Sequence, residues 1–218
     1  NTLDGVLATS AALPEIIERS VPRIGFNARV EYGLIGNGDA NDMTRAQLAL
    51  TDAALVGAFV DFGRALINVV SPGLTVPNGC AGFRFDEVSY GSAGDIGFAV
   101  AAGSYVAVTV NGAPTVLRGT VYGVGTKPTV NLVKLQNVQR VKDVALRAYN
   151  ADGYGVLINK CWDCVAQSID VEDCGNASNY AFEMADDGDT CNTTHILRLQ
   201  VEGANKKAIS VSPNTLSC

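Results

Sequence analysis

The stretch VNLVKLQNVQRVKDVALRAYNADGYGVLINKCWDCVAQSIDVEDCGNASNYAFEMADDGDTCNTTHILRLQVEGANKKAISVSPNTLSC, residues 130–218, decides how the chain folds. An alternating apolar pair recurs in it as Val133/Leu135, Val156/Ile158, Phe182/Met184 and Ile209/Val211, at spacings of 23, 26 and 27 residues. A second pair recurs as Val144/Leu146, Ile169/Val171 and Leu197/Leu199, at spacings of 25 and 28. Two sets keeping step mark a solenoid, in which each repeat stacks on its neighbours to bury a face it cannot bury alone. Alternation within each pair means strands. Coils of this length, turned by Asn, Gly and Asp, fit a right-handed parallel β-helix. The Asn and Leu consensus of a leucine-rich horseshoe is absent. One apolar residue per strand then stacks about 4.8 Å from its equivalent in the next coil, and the residues between them face outward.

Composition agrees with an all-β chain. It is 47% hydrophobic and 17% charged, with 23 glycines for tight corners and few aromatics, which suits a narrow interior of Val, Ile, Leu and Ala. At 218 residues one solenoid domain can occupy the chain from residue 42 to 218, behind a lead-in or neck region at 1–41. A net charge of −6 argues against a nucleic-acid partner, which calls for a basic stripe. No apolar run reaches the roughly 18 residues of a membrane-spanning helix, so membrane insertion is not expected. The chain starts with Asn1 and shows no secretion signal, and Ile209/Val211 opens a coil whose second strand falls past Cys218. A fragment or processed product, cut within a coil, is the expectation.

Before the repeats, Leu13-Pro14-Glu15-Ile16-Ile17-Glu18 reads as a short helix with Pro in its first turn, and Ala28 to Leu34 as a strand. Thr44-Arg45-Ala46-Gln47 fits a capping box that opens a mostly apolar helix ending near Gly57, a plug for the first coil. Phe59–Gly63, Leu66–Val70, Leu74–Val76, Phe83/Phe85, Ile96–Ala101, Tyr105–Val110 and Thr115–Val121 read as short strands separated by Gly, Pro and Asn turns.

The order Asp42-Met43-Thr44-Arg45-Ala46-Gln47, then Val60-Asp61-Phe62-Gly63, then Val70-Ser71-Pro72-Gly73-Leu74-Thr75-Val76-Pro77 resembles the head of bacteriophage tailspike β-helix domains of the pectate-lyase-like class. Cys191-Asn192-Thr193-Thr194-His195 and the coil period extend the resemblance to the end of the chain. It implies a homotrimeric virion spike that meets other phage tail proteins, is assembled in the host cytoplasm, and binds and depolymerises a bacterial surface polysaccharide, capsule or O-antigen. A non-enzymatic structural or adhesive solenoid is the alternative, because one fold serves lyases, hydrolases and adhesins alike. A cellular polysaccharide lyase or epimerase is a third reading.

Candidate chemistry is argued from residues. Asp170 and Glu172 flank Val171 on one strand, so both carboxylates face outward roughly 6 to 7 Å apart, a separation an acid and base of a glycosidase can use. The second ladder places Asp170 between Ala145 and Arg198, and Glu172 between Arg147 and Gln200, where surface ion pairing is the competing reading. Glu183 is a third catalytic candidate on the next coil, beside Asp186, Asp187 and Asp189 in a long polar turn that lacks calcium-loop spacing. Trp162 sits at a corner where it can stack on a sugar or pack in a trimer interface. Lys160, His195 and Arg198 complete the substrate-binding candidates and supply the base and cations an elimination requires. Six cysteines without a second CxxC argue against zinc, and free thiols, some inside the coils, are expected. No metal or cofactor is called for.

Overall fold

The computed structural model describes residues 25–88, 96–185, 192–204 and 207–211. The first ladder has the expected register. Val133 and Leu135 pair with Val156 and Ile158, these with Phe182 and Met184, and these with Ile209 and Val211. It also runs back through Val108/Val110 to Leu74/Val76. All these pairings are parallel, and the chain winds as an all-β right-handed parallel β-helix.

The second ladder is displaced. Leu146 and Ala148 lie beside Ile169 and Val171, which lie beside Leu199 and Val201. The expected Val144/Leu146 and Leu197/Leu199 pairs are therefore each two residues early. Leu197 stands 67% exposed. A slip of two keeps the inward and outward parity, so alternation cannot detect it.

Fifteen strands are described. In the N-terminal part they are β1 Gly25–Asn27, β2 Phe59–Gly63, β3 Leu66–Val69, β4 Leu74–Val76, β5 Gly82–Phe85 and β6 Gly97–Val100. β7 Val106–Gly112, β8 Val116–Gly123, β9 Asn131–Gln139 and β10 Asp143–Tyr149 follow. β11 Val156–Glu172, β12 Phe182–Ala185, β13 Asn192–Ile196, β14 Leu199–Glu202 and β15 Ile209–Val211 complete the set.

β11 alone wraps several sides of a coil, because Lys160 (φ 60°) and Asp163 (φ 53°) take left-handed backbone and turn the strand without ending it. Inward residues there fall three apart, at Ile158, Cys161 and Cys164, instead of two. Leu135, Val138 and Val141 repeat the pattern one coil earlier, around left-handed Asn137 and Arg140. A third corner stacks left-handed Asn150, Asp173 and Gly203. There the Asn150 amide donates to the carbonyls of Gly123 (2.7 Å) and Gly125 (2.8 Å). Asn and Asp tolerate this conformation better than other side chains, which accounts for Asn137, Asn150, Asp163 and Asp173 at the corners, beside Arg140 and Lys160.

The N-terminal end is closed by helices. Ala28–Tyr32 is a helix, α1, and not a strand: the Asn27 side chain accepts from the amides of Arg29 and Val30, and left-handed Gly33 stops the turn. Those end signals outweigh the alternation of its side chains. α2 spans Asp42–Val56, three residues earlier than the Thr44 cap implied, with Asn41 at its start and no side-chain cap. Gln47 has another task. Its amide accepts from the Thr75 amide (2.8 Å) and donates to the Thr75 carbonyl (2.9 Å), pairing the helix with β4 as a strand would. Buried Asp42 accepts from the amides of Ile35 and Gly36 and pairs with Arg45 at 3.2 Å. Beneath the helix the first coils are filled by the rings of Phe62, Phe83, Phe85 and Phe98, with centroids 5.0 to 6.4 Å apart, rather than by small aliphatics.

The cysteines divide. Cys161 and Cys164 form a disulfide inside the coil, which corrects the expectation of free thiols, since corner residues three apart bring both sulfurs to one interior point. Cys80 and Cys174 are free and buried. Cys191, Cys218, the 13–18 helix and the carboxylates of 186–189 lie outside the described residues. No helix among the described residues is long and apolar enough to cross a membrane.

Candidate functional site

The sheet formed by β8, β10, β11 and β14 presents two outward stripes. One runs Thr120, Arg147, Asp170, Gln200 and the other Tyr122, Tyr149, Glu172, Glu202. Asp170 thus lies between Arg147 and Gln200, and Glu172 between Tyr149 and Glu202, not between the neighbours expected from sequence. Pairing is diagonal: Arg147 Nη2 donates to Glu172 Oε2 at 2.6 Å, and Arg198 Nη2 stands 3.7 Å from Asp170 Oδ1. The ion pairs expected from sequence, Asp170 with Arg198 and Glu172 with Arg147, therefore form, but along diagonals and not between direct ladder neighbours.

Burial separates this face from an ordinary solvated one. Arg147 is only 7% exposed and Asp170 only 5%. A charged side chain is rarely so covered unless it is paired, because desolvation of an ion is costly. Arg147 is paired and also held from behind. Its guanidinium lies 4.5 Å over the Tyr149 ring, and Tyr149 stacks on buried Tyr122 at 5.1 Å with planes 8° apart. The group is fixed before anything binds. The guanidinium of Arg198, just before β14, donates to the Gln200 side-chain oxygen and the Gln200 amide donates to Glu202, so these side chains form one hydrogen-bonded row.

Arg147, Asp170, Glu172, Gln200 and Glu202 surround a pocket of about 140 Å³ on this face. Its size suits part of one sugar ring, and its lining offers carboxylates, a guanidinium and an amide to hydroxyl groups.

The other candidates are elsewhere. Glu183 projects from β12 beside Leu157, on a side of the coil separated from Asp170 by the corners at Lys160 and Asp163. Its charge acts on Tyr154, whose hydroxyl pKa is raised first by burial and then by this carboxylate. Trp162, half-buried, sits between the two left-handed corners, and exposed His195 lies beside Val165. Neither these two nor Lys160 lines the pocket. Of the substrate-binding set, only Arg198 reaches it, through Asp170 and Gln200. Arg147 and Gln200 were expected from sequence only as ladder neighbours of Glu172, and Glu202 was not picked out. Placing the second ladder on Leu199/Val201 would have stacked Glu202 on Glu172 and revealed it.

No protein-family model and no curated protein matches the sequence. Among solved structures the chain is similar to ORF18 of Geobacillus virus E2, with a TM-score of 0.52 and 15% identity over 94% of this chain. The likeness is one of fold. The chain spans 43% of the length of that structure.

Proposed function

We propose that the chain belongs to a bacteriophage virion spike and that its β-helix binds and depolymerises a surface polysaccharide of the host bacterium. The observation that carries the reading is the outward pocket in which buried Arg147 and Asp170 stand beside Glu172, Gln200 and Glu202. A solenoid face with a preformed polar pocket, backed by a tyrosine stack, is suited to a repeating, hydroxyl-rich chain laid across the coils. The likeness in fold to a viral protein and the resemblance of residues 42–77 to tailspike heads support the virion setting. A homotrimer in contact with other tail proteins is the assembly this reading entails.

The second reading is a binding or structural solenoid without catalysis. It is favoured by the hydrogen bonds and ion pairs that already engage each pocket carboxylate: Glu172 with Arg147, Asp170 with Arg198, Glu202 with Gln200. The viscosity of host capsule or O-antigen extract separates the two. Depolymerisation predicts a fall in viscosity that Glu172→Gln abolishes. Retention of the polysaccharide on the protein with unchanged viscosity selects the second reading.

A further inference from the structure

We propose, as a deepening of the depolymerase reading on which it rests, that the pocket accepts an uncharged sugar residue and cleaves its glycosidic bond by hydrolysis. Glu172 and Glu202 form its catalytic pair.

Charge at the pocket argues first. Three carboxylates, Asp170, Glu172 and Glu202, face two guanidiniums, Arg147 and Arg198. Both guanidiniums are held by carboxylates of this chain, Arg147 by Glu172 and Arg198 by Asp170. A uronate brought here would meet three like charges and guanidiniums already engaged. Elimination needs the opposite, a cation to neutralise the uronate carboxyl group and a base to take the adjacent proton. His195 and Lys160, the residues that could have filled those roles, lie off the pocket on other parts of the coil.

Register argues second. Glu172 and Glu202 are direct partners on adjacent strands, so their backbones stand about 4.8 Å apart and both carboxylates project from the same face. Carboxyl groups about 5 Å apart are the working pair of retaining glycoside hydrolysis. In that step one carboxyl group gives its proton to the glycosidic oxygen as the bond from that oxygen to the anomeric carbon breaks and the other carboxylate bonds to the carbon. A water oxygen then displaces that carboxylate from the carbon, and the water's proton passes to the first group. One new reducing end and one hydroxyl result, and no oxidant or reductant is consumed. Arg147, clamped between the Tyr149 ring and Glu172, is a positioning residue that fixes one of the two carboxylates.

The test uses the full chain with two panels of bacterial surface polysaccharide, one free of uronic acids and one rich in them. Binding is followed by affinity electrophoresis, and cleavage by reducing ends and by the absorbance of an unsaturated uronate. The proposal expects binding and new reducing ends in the uronate-free panel, with no absorbance change in either. It expects Glu172→Gln and Glu202→Gln each to slow cleavage about 100-fold or more while binding persists. Should Glu172→Gln fail to fold, the exposed Glu202→Gln carries the test alone. Rising absorbance with uronate polymers, or undiminished cleavage by Glu202→Gln, overturns the inference and leaves the depolymerase reading standing. No binding in either panel overturns both.

Discussion

Arg147 and Glu172 give the sharpest energetic prediction. The side chain of Arg147 is 9% exposed and that of Glu172 is 45% exposed, with 2.6 Å between them. Exposed pairs are worth roughly 0.2 to 1 kcal/mol, and breaking a fully buried pair costs about 3 to 5 kcal/mol. One covered and one half-solvated partner places the coupling between these limits, at about 1 to 2 kcal/mol after screening. Arg147→Met alone also loses the contact over Tyr149, about 0.5 to 2 kcal/mol, partly offset by relief of guanidinium desolvation, so its total cost is about 2 to 3 kcal/mol. The assay is a double-mutant cycle with Arg147→Met and Glu172→Gln by urea unfolding, run at low salt and at 1 M salt. At 1 M salt more than half of the coupling should survive, because the pair is short and one side is covered. Coupling below about 0.5 kcal/mol, or its complete loss in salt, would refute the claim that this face is preorganised.

Three further outcomes follow from the packing. Ile169→Ala, in the interior, should cost about 2 to 5 kcal/mol, whereas Leu197→Ala should change stability by less than about 0.5 kcal/mol; equal costs in urea unfolding would restore the register expected from sequence. Burial pushes the thiol of Cys80 up to about 11 and that of Cys174 up to about 12, from 9.0. The folded state therefore holds these protons longer than the unfolded chain: the stabilisation is complete well below pH 9 and is lost as pH climbs from there through the folded values, by roughly 1 kcal/mol per thiol at pH 10. A Cys80→Ala/Cys174→Ala variant should lose stability less steeply between pH 8 and 10, and identical slopes would refute this. Finally, alkylation with peptide mapping should label Cys161 and Cys164 in unfolded protein only after reduction, and labelling without reductant would contradict the disulfide.

The sequence carried the first ladder to the residue, because Val133/Leu135 through Ile209/Val211 alternate cleanly and every turn between them leaves that alternation intact. It carried the second ladder only to its parity. Leu197-Arg198-Leu199 alternates as well as Leu199-Gln200-Val201, and the tie is broken by the corners, where Lys160, Asp163 and Asp173 take left-handed backbone that an alternation pattern does not encode. The site inherited that ambiguity. Asp170 and Glu172 were found because parity alone sends them outward, whereas Glu202 becomes the neighbour of Glu172, and Arg147 and Gln200 move beside Asp170, only once the register is fixed. Glu183 was misgrouped for a related reason: adjacency in coil number says nothing about which side of the coil a residue occupies. The α1 segment differs from the strand expected at 28–34 because the cap at Asn27 and the stop at Gly33 set a helical turn there.

The central claim is that a polysaccharide lies on the outer face of β10, β11 and β14. It is tested most directly by a crystal structure of the chain with an oligosaccharide cut from a polymer it binds. The account predicts a sugar ring seated among Arg147, Glu172, Gln200 and Glu202, with hydroxyl groups hydrogen-bonded to the Gln200 amide and to at least one carboxylate. An oligosaccharide resting instead against Trp162 and His195, with the pocket unvisited, would contradict it.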